Sequence, residues 1–250
     1  MGKTANELTV AIFKTRAEMG QAAARDVAEA IINLLKIQDE VNMVFASAPS
    51  QSEFLNALLT HTEIDWMRIN VFHMDEYIGL GLEHDSSLSS YLRKTFLNGI
   101  PTKKNYFIDG TKNPLNECDR YEALIKDHPI DIVCMGIGEN GHIAFNEPHV
   151  ADFNDSKKIK MIDLDDTSIM QQVNDGTFPS IEDVPKKGIT LTIPTLTSGK
   201  FTFCIVPSIN KAEAVRDTLL GEITTDTPAS ILRTLENASI YLDEEAASLV

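Results

Sequence analysis

A chain of 250 residues, 43% hydrophobic and 24% charged, carries enough apolar material for a substantial core, and one domain spanning 1–250 is the expectation. The formal net charge of -15, from 22 basic against 37 acidic residues, argues against a nucleic-acid binder or a protein held electrostatically on anionic membrane. An anionic ligand therefore needs a local basic pocket.

Three scattered cysteines, Cys118, Cys134 and Cys204, form no disulfide framework. The N-terminus has no apolar leader with a cleavage site, and no run of about 18 apolar residues occurs, so a soluble, cytoplasmic protein is expected.

Residues 16–36 place Met19, Ala23, Val27, Ile31 and Leu34 on one face at spacings of three and four, which predicts an amphipathic helix. VNMVFASA (41–48) predicts a strand, and Ser50 followed by Glu53 has the spacing of a capping box that opens the next helix. MRINVF (67–72) reads as a strand, SLSSYLRKTFLNGI (87–100) as a helix ending near Gly99 and Pro101, and NYFID (105–109) as a strand. A helix over 114–127 begins with proline, and IDIVCMGI (130–137) is a fully buried strand. Further on come a strand over 158–164, a helix over 166–173 and a buried strand over 201–207. A helix over 211–221 closed by glycine, a strand over 238–243 and an acidic helical tail complete the chain. Strands alternating with helices predict an α/β fold, a mostly parallel sheet with helices on both faces. No linker, repeat or low-complexity segment divides it.

Ligands of open parallel sheets bind outside the carboxyl ends of the strands. That rule selects Asp75 and Glu76 after strand 67–72, then Asn140, His142, Asn146 and Glu147 after strand 130–137. It adds Lys211 after strand 201–207, and Ser47, Ser50, Gln51 and Ser52 after strand 41–48. Two carboxylates, an imidazole and an ammonium in one crevice make an acid/base set with an anion anchor. Taken singly, the acidic pair suits a turn cap, His142 a structural role and Lys211 a solvated helix start.

Gly136, Gly138 and Gly141 satisfy G-x-G-x-x-G, the pattern of a dinucleotide site, but HIAFNEPHVADFNDS has no helical period to follow them. The glycines are instead expected to let backbone N–H groups approach an oxygen-rich ligand. Dispersed histidines without H-E-x-x-H give no metal site, and no G-x-S-x-G elbow supports a serine hydrolase.

FHMDEYIGL (72–80) and GIGENGHIAFNEP (136–148), in this order, resemble the glucosamine-6-phosphate deaminase/isomerase family, related to the 6-phosphogluconolactonases. VPKKGITLTIPTL (184–196), FTFCIVPSINKAEAV and TPASILR (227–233) extend the likeness. The resemblance implies a Rossmann-like fold and conversion of an amino-sugar 6-phosphate plus water into a keto-sugar 6-phosphate plus ammonia. Asp75 matches the general base that moves a proton between C2 and C1, and His142 the ring-opening group with Glu147 as its partner. Asn140 stands two residues before that histidine, where many members have aspartate. Lys211 matches the phosphate lysine, with Gly138 and Gly141 counted among the substrate-binding positions. No metal or organic cofactor is implied. The expected partner is a small-molecule sugar phosphate, with no nucleic acid and no membrane, and a homo-oligomer is left open.

Two departures bear on substrate. The family's glycine- and threonine-rich phosphate loop is replaced by SAPSQSEF (47–54), and the arginine expected within QQVNDGTF (171–178) is absent. Losing a charge-assisted contact of that kind costs roughly 1.5 to 3 kcal/mol, which Ser50, Gln51 and Ser52 at a helix N-terminus would partly replace. The alternatives are a sugar-phosphate-binding protein with lost or altered activity, and a lactonase-type hydrolase.

Overall fold

The computed structural model describes residues 8–174 and 176–250. It opens with strand β1 (Thr9–Phe13), which leads into helix α1 (Arg16–Leu35). Thr15 sets the helix start: its backbone is extended and its hydroxyl accepts the Glu18 N–H at 3.1 Å. Next come β2 (Val41–Phe45), α2 (Ser52–Leu58), β3 (Ile69–His73), β4 (Asp75–Tyr77) and α3 (Leu88–Leu92). They are followed by β5 (Lys104–Tyr106), α4 (Pro114–Asp127) and β6 (Ile132–Met135). Then come β7 (Ile159–Asp163), α5 (Asp166–Asn174), β8 (Lys187–Leu191) and α6 (Ile193–Leu196). β9 (Phe201–Val206), α7 (Ala212–Leu220) and β10 (Ala238–Asp243) end the series.

Seven strands form one sheet in the order β1-β10-β9-β6-β2-β3-β5, and every adjacent pair is parallel. From β2 the chain steps outward through β3 to β5, then returns to the other side of β2 with β6. That reversal makes the gap between the carboxyl ends of β2 and β6 the topological switch point. The Ala46 N–H donates to the Cys134 carbonyl at 2.8 Å and ties the two ends together there.

Pleating sends alternate strand residues to opposite faces, and each face has its own core. Met43, Phe45, Ile69 and Val71 join α1 and α2 through Ile31, Phe54 and Leu58. Val44, Phe72, Val133 and Met135 join α4 and α7 through Tyr121, Ile125 and Val215. The sheet is thus covered on both sides, as predicted, and each fully buried Leu, Ile or Phe contributes about 1.5–3 kcal/mol.

A separate antiparallel sheet, β4-β8-β7, carries its own cluster built on Tyr77, Phe145, Ile162 and Phe178. The expected strand 158–164 belongs to this small sheet. Strands β1, β4 and β8 have no counterpart in the sequence prediction. The tail after Asp243 is a set of turns, since only single bonds such as Ala247 N–H to Asp243 O (3.0 Å) close there, so no helix forms. The predicted capping box is also absent. Ser50 lies inside the turn Pro49–Gln51 and caps nothing, while Glu53 is turned toward Arg16. Helix α7 does stop before Gly221, but that glycine is extended (φ -74°, ψ -174°) and makes no left-handed cap. All three cysteines are free and buried. Among the described residues no helix is long and apolar enough to cross a membrane.

Candidate active site

A cleft of about 510 Å³ opens at the carboxyl ends of β2, β3, β6 and β9, at the switch point. Ser47, Ser50, Gln51, Asp75, Gly138, His142 and Lys211 all line it, so the strand-end rule gathers most of one site. Asn140, Gly141, Glu147 and Ser52 lie behind the lining. Ser52 Oγ is 2.9 Å from the hydroxyl of Tyr91, which itself faces the cleft.

Asp75 is the first residue of β4, and its backbone is fixed by pairing with Thr190 on β8. Its side chain is buried, and that burial, reinforced by the neighbouring Glu76 charge, pushes its pKa up to about 8. Glu76 faces the other way. Burial would raise its pKa, but His73, the Ser89 N–H and the Ser87 hydroxyl together hold it below the ordinary value. The donors at hydrogen-bond distance are Ser87 Oγ at 2.7 Å, Tyr77 N–H at 2.9 Å, Leu88 N–H at 3.1 Å and Ser89 N–H at 3.0 Å. Adjacent carboxyls therefore divide the work: Glu76 anchors the wall at 87–89, and Asp75 is a strong base facing the cleft.

Asn140 Oδ1 accepts the His142 backbone N–H at 3.1 Å and lies 2.7 Å from His142 Nδ1. The amide nitrogen of Asn140 donates to Asp165 Oδ2 at 3.3 Å. With the amide so oriented, Oδ1 is an acceptor, and Nδ1 must carry the imidazole proton. Nε2 keeps its lone pair. Burial first, and then the Lys211 charge, lower the His142 pKa to about 4, with Asp165 opposing, so the ring is neutral at neutral pH.

The loop glycines serve this ring. A Cβ on Gly138 would fall 2.1 Å from His142 Cε1 and 2.3 Å from both ring nitrogens, so the imidazole packs directly on the glycine. Gly141 has φ +77°, which lets the chain double back. The backbone N–H groups expected to bind ligand are already used: Gly138 donates to the His142 carbonyl at 2.9 Å and Gly141 to the Gly138 carbonyl at 3.1 Å. No crossover helix directly follows the glycines, where turns and the Ile143–Asn146 bridge run instead. Asn146 is a tie, donating to the carbonyls of Ile143 (2.9 Å) and Leu191 (2.8 Å).

Glu147 departs from expectation, because His142 Nδ1 turns to Asn140 instead of to it. The link between them runs through Ser168, whose hydroxyl lies 3.4 Å from His142 Nδ1 and helps hold the Glu147 charge. Glu147 is fully buried, which raises its pKa, and Oε2 accepts the Asp165 N–H at 2.6 Å. Asp165 and Ser168 open α5, a segment that carries no motif, so only their place in the fold reveals them. Glu147, His149 and Asp165 bring potential metal-ligand atoms within 4.8 Å. Asp165 is already engaged on both oxygens, since Oδ1 accepts the Ser168 N–H at 2.7 Å and Oδ2 the Asn140 amide, while Glu147 uses Oε2 and keeps Oε1 buried without a hydrogen-bond partner. That is a hydrogen-bonded scaffold for the loop.

Lys211, which also lines the cleft, is buried in the turn Ile209–Lys211 ahead of α7. Gln171, Gln172 and Thr177 line the cleft from the segment where an arginine was expected. Arg16, from the start of α1, also lines it.

An α/β sheet whose switch-point crevice holds a basic carboxyl, a neutral imidazole and a buried ammonium is the framework of a proton-transfer enzyme for a small anionic substrate. The chain belongs to the glucosamine-6-phosphate isomerase/6-phosphogluconolactonase family, whose sequence model matches residues 14–241. It is 37% identical over 191 residues to a glucosamine-6-phosphate deaminase of Streptococcus pyogenes serotype M49, covering 76% of this chain and 80% of that one. A glucosamine-6-phosphate deaminase of Exiguobacterium sibiricum is 38% identical over 188 residues, 75% of this chain and 73% of its own. The solved structure of a monomeric glucosamine-6-phosphate deaminase superposes with a TM-score of 0.89 at 31% identity, over 97% of this chain and all (100%) of that one. A 6-phosphogluconolactonase from Thermotoga maritima shares the fold, with a TM-score of 0.77 at 17% identity over 95% and 100% of the two chains.

Proposed function

We propose that the protein deaminates and isomerises an amino-sugar 6-phosphate, converting glucosamine-6-phosphate and water into fructose-6-phosphate and ammonia. The observation that carries this reading is the pairing, in one cleft, of a carboxyl of raised basicity with a neutral imidazole whose Nε2 lone pair is free of the tautomer-fixing bond. Lys211 and the serines of 47–52 bind the substrate's phosphate end. His142 Nε2 takes the proton of the anomeric hydroxyl and returns it to the ring oxygen, which opens the sugar. Asp75, as carboxylate, removes the proton at C2 and delivers it to C1, while a proton of the amino group passes to O1. The C2 imine so formed adds water and expels ammonia.

Asp165, Asn140, Ser168 and Glu147 act through His142 by fixing its tautomer and orientation. The test is release of ammonia and keto-sugar phosphate from glucosamine-6-phosphate by wild type and by Asp75→Asn. Loss of turnover in the variant is expected, and full turnover in it sinks the reading.

A second reading, a sugar-phosphate binder with altered activity, is favoured by one feature: the neutral wall at Gln171, Gln172 and Thr177. Stabilisation by glucosamine-6-phosphate without ammonia release would select it.

A further inference from the structure

Among the described residues two cations line the cleft, Lys211 and Arg16. Arg16 is the first residue of α1, reached directly from the carboxyl end of β1, so it enters the crevice by the same strand-end geometry as Asp75 and Lys211. Its guanidinium is held from the side. Nε donates to Glu53 Oε1 and Nη2 to Glu53 Oε2, each at 2.9 Å, and Nη1 donates to Ser208 Oγ at 2.9 Å. These contacts use three of the five N–H groups of an arginine and leave one on each terminal nitrogen. Two such groups can donate to the oxygens of a phosphate or carboxylate.

Ser208 joins the Arg16 guanidinium to the backbone of Lys211. Its carbonyl accepts the Lys211 N–H at 3.1 Å while its hydroxyl accepts from Arg16. Its backbone sits at φ +83°, ψ 147°, a region that side-chain-bearing residues avoid. The buried carboxylate of Asp243 holds it there, accepting the Ser208 N–H on both oxygens at 3.0 Å. Strain maintained at a ligand-facing turn between two cations is the mark of a preorganised site.

We infer that Arg16 is the second anion-binding cation of the cleft. It acts with Lys211 and Ser208 on the phosphate of the substrate, from the opposite end of the chain to the missing arginine of segment 171–178. Glu53 occupies the far edge of the guanidinium without touching the phosphate, and the two N–H groups left over are available to the substrate's anionic end. The inference deepens the proposed function and rests on it for the identity of the phosphate-bearing substrate. The competing role is a staple joining α1, α2 and the 207–211 turn with no ligand contact.

The experiment uses the full chain and inorganic phosphate as the probe. Phosphate affinity is measured by calorimetry, and as competitive inhibition of turnover, for wild type, Arg16→Gln, Arg16→Lys and Glu53→Gln. Arg16→Gln should weaken phosphate roughly 10- to 100-fold and raise KM for glucosamine-6-phosphate more than it lowers kcat. Arg16→Lys should recover part of the loss, whereas Glu53→Gln, which cuts the staple but leaves the guanidinium, should hold phosphate within about threefold. If Arg16→Gln does not fold, weaker phosphate binding in Arg16→Lys but not in Glu53→Gln supports the inference equally. Unchanged phosphate affinity in Arg16→Gln, or equal losses in Arg16→Gln and Glu53→Gln, overturns the inference. If wild type releases no ammonia while phosphate affinity still depends on Arg16, the proposed function falls and the anion site stands.

Discussion

His142 Nδ1 lies 2.7 Å from Oδ1 of Asn140, and the same amide passes its N–H to Asp165. Asparagine thus orients the ring, with the negative charge of Asp165 one residue further out. A neutral acceptor fixes the tautomer without raising the imidazole pKa, whereas a carboxylate partner raises it. Asn140→Asp should therefore move the His142 pKa up from about 4 by roughly one unit or more, against some repulsion from Asp165. The imidazole signals in NMR spectra between pH 3 and 8 check this, and an unmoved titration would show that residue 140 does not govern the ring.

Asp75, with a pKa near 8, holds its proton in most free enzyme at pH 7, yet must lose it to act as a base. The kcat/KM for glucosamine-6-phosphate should accordingly rise with pH through an ionisation near 8, about tenfold per unit below it. Stability runs the opposite way. A carboxyl raised from 3.8 to about 8 by folding binds its proton more tightly in the native state. The stability this contributes is complete below about pH 4 and drains away as pH climbs to about 8. Asp75→Asn keeps the shape without the charge, so it should melt above wild type at pH 9, with the gap closing toward pH 5. Parallel melting curves across that range would place the Asp75 pKa in the ordinary carboxylate range.

Gly138 is where backbone and imidazole meet, and a methyl there would sit 2.1 Å from His142 Cε1. The obstacle is a side chain that can swing, so Gly138→Ala should cost position more than stability. Displacing a catalytic group by about 1 Å can cost about 100-fold in rate. We expect kcat to fall by about that factor while the melting temperature changes by only a few degrees. A variant that unfolds, or one with normal kcat, contradicts this role for the glycine.

The strand ends and glycine loop were legible because apolar runs such as IDIVCMGI and FTFCIVP are buried on both faces, and buried parallel strands announce themselves by composition. TVAIF was not, because β1 is an edge strand whose residues are mostly exposed and bounded by no turn signal. Missing it hid Arg16, which the strand-end rule would otherwise have selected. DEY and KGITL are strands by virtue of pairing with each other, a long-range fact that local propensity does not record. For the same reason, Asp165 and Ser168 join the site only once β7 and α5 are placed beside the glycine loop.

Lys211 tests the two halves of the site at once. Its side chain is buried, lines the cleft, and depresses the His142 pKa through space. Lys211→Met keeps the length and the packing of the stem but removes the charge. If Lys211 binds the phosphate, kcat/KM for glucosamine-6-phosphate should fall roughly 10- to 150-fold, the worth of one charged hydrogen bond, mostly through KM. If the charge also acts on the ring, the His142 titration should rise in the same variant, since the second-largest cause of its depression is gone. Lys211→Arg restores the charge and should return the titration close to wild type, whatever it does to KM. A packing role alone predicts the reverse pattern, with Lys211→Met active and its His142 titration unmoved. Kinetics and NMR on one variant pair therefore separate charge from shape at this position.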